Sequence, residues 1–246
     1  GKTSLAVNLS IALAKAGRRV VLFDADLQLA NIDVILGLKP EFNLQHVVAE
    51  EKTLEEILAD GPGGIRVATG GSAVSSLMSA GPKRMATFLS QIDSLAETTD
   101  YIIYDTGAGL DGRVSAFIKQ AQEVILVATP DPTSVTDAYA TAKIAYRRDP
   151  SAQIRVVVNQ INNDIEGQAV YRTLQSTVSQ FLKKELTLLG FVNKDDAVAT
   201  AVRKRTPFMI GSKDSQAAKD VVSLAKKVMK HELHIASAEP HIALAA

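Results

Sequence analysis

Short β-branched runs alternate with longer stretches of helical period along the whole chain, and few folds admit that alternation. It is the pattern of βαβ units, because parallel strands must be joined by a crossover and a helix is the usual one. The candidate strands are residues 19–24, 65–69, 101–105, 123–128, 154–159 and 186–192, most of them apolar on both faces. A strand with no polar face needs helices on each side of its sheet. The first helical stretch, residues 2–16, repeats Leu5, Ala6, Leu9, Ala12, Leu13 and Ala16 and stops at Gly17. Further helical periods cover 83–96, 166–184, 195–204 and 215–233, and the pairs Thr53 with Glu56 and Ser134 with Asp137 read as helix starts. The expected fold is therefore α/β: a doubly wound, mostly parallel sheet with helices on both faces.

At 246 residues, against roughly 150 per domain, the reading is a single domain over residues 1–233, with 234–246 as a weakly ordered tail. The chain has no cysteine, which excludes a disulfide framework, thiolate-bound zinc, Cys-ligated iron–sulfur clusters and a thiol nucleophile, and suits a reducing cytoplasm. Lys and Arg total 27 against 27 Asp and Glu; without a bulk positive field there is no strong nucleic-acid signal. The four histidines, His46, His231, His234 and His241, show no metal-ligand spacing.

The chemistry starts at the first residue. Gly1, Lys2 and Thr3 followed at once by a helix form the back half of G-x-x-x-x-G-K-[ST], a loop whose N–H groups face phosphate, whose lysine reaches the β and γ phosphates and whose hydroxyl ligates Mg²⁺. Such a loop follows a strand, and none stands upstream. Burying a five-residue strand is worth on the order of 10 kcal/mol, comparable with a domain's whole stability. The expectation is that the parent protein continues upstream through one strand and a glycine-rich turn, leaving that strand missing from this chain.

Asp24 and Asp26 close the first strand two residues apart, so an extended backbone points both carboxylates to one side, where a cation would relieve their repulsion. Asp105 closes the apolar run 101–104 and leads into Thr106, Gly107, Ala108 and Gly109. That is the placement of a second metal carboxylate, with glycine for close backbone approach to a γ-phosphate. Asn159, at another strand end, carries an amide able to pair with an adenine edge, or equally to form a turn.

Together, Gly1-Lys2-Thr3, the run 22–33 (LFDADLQLANID) and the run 104–109 (YDTGAG) resemble the deviant-Walker MinD/ParA ATPases. Residues 129–140 and 190–218 bring the resemblance nearest to the FlhG/FleN type, regulators of flagellar number and placement. The resemblance implies a slow ATPase that dimerises with ATP between two copies. Gly1, Lys2, Thr3 and Ser4 would then hold phosphate, with Lys2 also catalytic. Thr3, Asp24 and Asp105 would serve Mg²⁺, Asp26 would align the attacking water, Gly107 would approach the γ-phosphate, and Asn159, Val192 and Asn193 would contact the adenine side. Gln28 stands where the family usually has Gly, and Asn193 where it usually has Pro.

The implied partners are a second copy and flagellar proteins: an SRP-like GTPase, a transcription activator or a basal-body component. The implied location is the cytoplasm, with peripheral association at the inner face of the cell membrane as the variant. Val221, Val222, Leu224, Ala225, Val228 and Met229 lie on one stripe of the last helix, a pattern produced by core packing as well as by lipid docking, and packing is favoured. Two other functions fit the same scaffold: a chromosome-partitioning or cell-division-site ATPase, and a phosphate-loop ligase or kinase for a small molecule.

Overall fold

The computed structural model describes residues 1–26, 31–70, 81–107, 121–232 and 241–245. Helix α1 (Lys2–Lys15) leads to β1 (Val20–Ala25), then the short helices α2 (Ile32–Leu36) and α3 (Leu44–Val48). Next come β2 (Ala59–Asp60), β3 (Arg66–Ala68), α4 (Pro82–Ala96), β4 (Tyr101–Thr106), β5 (Glu123–Ala128) and α5 (Pro132–Arg148). The remainder is β6 (Gln153–Ile161), α6 (Asp164–Leu182), β7 (Thr187–Asn193), α7 (Asp196–Lys204), α8 (Phe208–Gly211), α9 (Gln216–Glu232) and β8 (His241–Ala245).

The eight strands form one sheet in the order β2-β3-β1-β4-β8-β5-β6-β7, parallel throughout except for β2 against β3. Along β1, Val21 and Phe23 enter one hydrophobic cluster and Val20 and Leu22 the other. The first cluster is closed by α3, α4, α5 and α6, through residues such as Leu44, Phe88, Ala142 and Leu174. The second is closed by α1, α2, α8 and α9, through Leu9, Ile32, Phe208 and Leu224. This is the double winding that the two-faced apolar strands require.

The stripe on α9 resolves the same way. Val221, Leu224, Ala225 and Val228 are buried in the second cluster, where α9 packs on α1 and β7. No helix among the described residues is long and apolar enough to cross a membrane.

Three local expectations need correction. Thr53 and Glu56 do exchange capping bonds, 2.8 Å from Thr53 N to Glu56 Oε2 and 3.3 Å from Glu56 N to Thr53 Oγ1, but only a single 3₁₀ turn, Glu55–Ile57, follows before β2. Helix α5 is capped not by Ser134 but by Asp131, which accepts from Thr133 N at 2.8 Å, while Ser134 Oγ accepts from Thr129 N. Proline at the first helical position extends the helix back past Ser134.

The third correction is the largest. Residues 241–245, read as part of a frayed tail, form β8 in the middle of the sheet, parallel to β4 on one side and β5 on the other. Ile242 and Leu244 point into one cluster and Ala243 and Ala245 into the other, all at most 1% exposed. Ordering five residues costs about 5–10 kcal/mol and burying the two large side chains returns about 3–6 kcal/mol. Main-chain hydrogen bonds to both neighbours close that gap.

Phe23 sits at the centre of the first cluster, edge-on to Phe88 at 6.0 Å and to Tyr104 at 5.7 Å between ring centroids. Phe23→Ala is expected to cost about 3–5 kcal/mol, read as a lowered midpoint in urea unfolding with an unchanged slope.

Candidate functional site

Parallel strands end together, and the polar residues of this chain gather at that end. Asp24 and Asp105 are register partners on β1 and β4, 1% and 2% exposed. The register explains their meeting, since equivalent positions on adjacent parallel strands point to the same face. Asp24 accepts from Asp26 N at 3.3 Å through Oδ1 and from Ile32 N at 3.4 Å through Oδ2. Asp26 follows just after β1, and its charge acts on both Asp24 and Asp105. The three expected carboxylates therefore lie within electrostatic reach of one another, although no three His, Asp or Glu side chains among the described residues are grouped to hold a metal ion by themselves.

The amino end of α1 lies across the same strand ends. The Thr3 hydroxyl and the Lys2 ammonium both lie near enough to the Asp105 carboxylate to favour its ionised form. Asp105 Oδ1 is buried without a hydrogen-bond partner. No side chain caps α1 at Gly1 and its first turn has no acid, so the leading N–H groups face the cluster uncompensated. Gly107 lies close against Asp26: a Cβ there would stand 2.8 Å from Asp26 Oδ1 and would displace that carboxylate. Gln28, Ala108 and Gly109 lie outside the described residues.

Charge repulsion and burial leave their mark on the carboxyls. Burial first, and Asp105 second, push Asp24 up to about 7. Burial pushes Asp105 up to about 6, against the downward pull of the Thr3 hydroxyl and Lys2. Buried carboxylates that resist ionising, one of them with an unpartnered oxygen, beside a hydroxyl form an all-oxygen donor set. That set fits a hard divalent cation such as Mg²⁺.

Beside this cluster a cavity of about 240 Å³ opens between α1, the ends of β6 and β7, and α7. Leu5, Val192, Val198 and Phe208 give it apolar walls, and Gly1, Ser4, Asn159 and Asn193 line its polar side. Asn159 is buried, its Oδ1 accepting from Gln160 N at 2.9 Å. Its Nδ2 would lie 2.7 Å from a Cβ placed on Gly1, so a larger residue there would push the Asn159 amide aside.

Asn193 contributes less than expected. Its main-chain N–H and Nδ2 both donate to Asp220 Oδ2, at 2.9 and 3.0 Å. It lines the cavity with its donors committed to α9. Sequence reasoning missed Leu5, Gln160 and Phe208. Leu5 reads as one more core residue of an apolar helix, and Gln160 lines the cavity because its backbone is left-handed, at φ 60°, which no pattern of residue types announces. For Phe208, the preceding Pro207 was the available signal.

Both raised carboxyls titrate higher in the folded chain than in the unfolded one, so the fold binds extra protons between about pH 4 and 7. Stability without metal should therefore fall as pH rises through that window. Asp24→Asn is expected to flatten this dependence and to be the more stable protein at pH 8, by on the order of 2 kcal/mol. Thermal unfolding at pH 5 and pH 8 in the absence of divalent cations measures both.

Comparison with known proteins places this geometry. The family model for the CobQ/CobB/MinD/ParA nucleotide binding domain matches residues 1–208. The chain is 36% identical over 228 residues to the antiactivator FleN of Pseudomonas aeruginosa, covering 93% of this chain and 81% of that protein. It is 33% identical over 207 residues to the flagellum site-determining protein YlxH of Helicobacter pylori, covering 83% and 69%. Among solved structures it is similar to the cell division ATPase MinD of Pyrococcus furiosus, with a TM-score of 0.77, 26% identity and 94% of each chain covered. With a match across most of its length and the carboxylates, hydroxyl and helix end assembled at one edge of the sheet, the chain belongs to the CobQ/CobB/MinD/ParA nucleotide-binding family.

Proposed function

We propose that this protein is a Mg²⁺-dependent ATPase switch: it binds ATP, hydrolyses it slowly, pairs with a second copy while ATP is bound, and acts on flagellar number or placement. The observation that carries the reading is the buried, unpartnered Asp105 Oδ1 beside the Thr3 hydroxyl and Asp24, at the open amino end of α1. An apolar slot of base size adjoins it.

In this reading the N–H groups of residues 1–4 and the Lys2 ammonium hold the phosphates. Thr3, Asp24 and Asp105 hold the metal, which when bound supplies charge neutralisation on the phosphate oxygens. Asp26, at the rim of the cluster and in contact range of Gly107, orients water for attack. Asn159 presents its Nδ2 to the base between Leu5 and Phe208. The flagellar role is supported by the names of the two relatives, an antiactivator and a flagellum site-determining protein. The partners proposed are accordingly flagellar regulatory or assembly proteins.

Asp26→Ala is expected to keep ATP affinity within about threefold while hydrolysis falls on the order of 100-fold, and to accumulate as an ATP-bound dimer in light scattering. Lys2→Ala should weaken ATP binding at least tenfold, or about 1.4 kcal/mol. Wild-type hydrolysis in Asp26→Ala, or a monomer at saturating ATP, would refute the switch.

A further inference from the structure

The polar wall of the cavity is arranged by a residue that does not line it. Asn159 and Asn193 stand near the ends of the neighbouring strands β6 and β7, where Asn159 pairs with Val192 and Ile161 with Asn193. The turn after β7 is tied on two sides. Lys194 N donates to the Ile161 carbonyl at 2.8 Å, and Asp195 Oδ2 accepts from Ala217 N, at the start of α9, at 3.0 Å. Asp220, one turn further along α9, accepts from both Asn193 N and Nδ2 through Oδ2 and from Gln216 Nε2 through Oδ1 at 2.8 Å. Both of its oxygens are occupied, and Ala217, Val221 and Leu224 of the same helix are buried in the second cluster, so the carboxylate has a fixed place.

An amide side chain has donors at one end and an acceptor at the other. With a carboxylate on one side of Asn193, only the Nδ2 end can face it; Oδ1 is left over, and among the described residues nothing donates to it. Asn159 is committed in the opposite sense: Oδ1 is taken by Gln160 N, and Nδ2 remains to donate. The two asparagines of the cavity therefore keep one free donor and one free acceptor between them.

A 6-aminopurine presents the acceptor N7 beside a donor, its exocyclic amine, whereas a 6-oxopurine presents two acceptors. We propose that Asp220 is a positioning residue for base selection. It holds the Asn193 amide with its oxygen uncommitted, so that Asn159 and Asn193 together take the amino edge of adenine and set an oxygen against the oxo edge of a guanine-type base. The inference rests on the nucleotide reading above and adds to it what chooses the base.

The test is equilibrium binding of Mg²⁺-ATP and Mg²⁺-inosine triphosphate to the full chain, two ligands with the same sugar and phosphates whose bases differ at the 6-position and the adjoining N1. Wild type should prefer ATP at least tenfold, as expected when one hydrogen bond is replaced by two opposed acceptors. Asp220→Ala frees the Asn193 amide to turn, and the preference should fall below threefold. A role for Asp220 in packing alone would weaken both ligands equally and preserve the ratio. Asn193→Ala, which leaves α9 intact, should lose the same preference, and the double variant should lose no more than either single one; losses that multiply overturn the coupling. A wild-type ratio near one, or a ratio unchanged in Asn193→Ala or in folded Asp220→Ala, overturns the proposal while ATP binding stands. If neither triphosphate binds wild type, the proposed function falls and base selection falls with it.

Discussion

Two carboxyl groups buried side by side are an unfavourable thing to build, and this protein builds them at the point where β1 and β4 end in register. Water is excluded, like charges face each other, and both groups are driven toward their protonated forms. The Thr3 hydroxyl and Lys2 offset part of this, yet one carboxylate oxygen is left with nothing to accept. Buried carboxyls held this close favour whatever relieves their repulsion, a proton or a neighbouring positive charge. The parallel register, the helix aimed at the strand ends and the small residue at Gly107 all serve that one cluster.

Much of this was legible before any coordinates. The two-faced apolar strands announced a sheet covered on both sides, and Asp24, Asp26, Asp105 and Asn159 were visible as polar residues ending apolar runs. Their convergence follows from the rule that parallel strands share a carboxyl end. What the residues could not disclose was pairing. A box of Thr53 and Glu56 bonds its backbone equally well whether a helix or a single turn follows. Asn193, which the resemblance places on the adenine side, does line the cavity, but its donors turn to Asp220, a residue 27 positions on.

The segment 241–245 illustrates the limit most plainly. His-Ile-Ala-Leu-Ala carries neither a turn signal nor alternation of polar and apolar, because a central strand is buried on both faces and alternates only in size. Large side chains, Ile242 and Leu244, meet α1 and α9, and small ones, Ala243 and Ala245, meet the other layer. In isolation such a run is indistinguishable from a weakly patterned tail.

At the other side of the sheet, β2 pairs with β3 for just two residues, in the antiparallel sense, with Asp60 exposed and Pro62 close behind. Short, charged and proline-bounded outer strands offer few free amide and carbonyl groups to a stranger's backbone. A long, uncharged edge would otherwise invite backbone pairing with the edge of another copy. The modest two-residue ribbon gives that margin a means of staying dispersed at high local density.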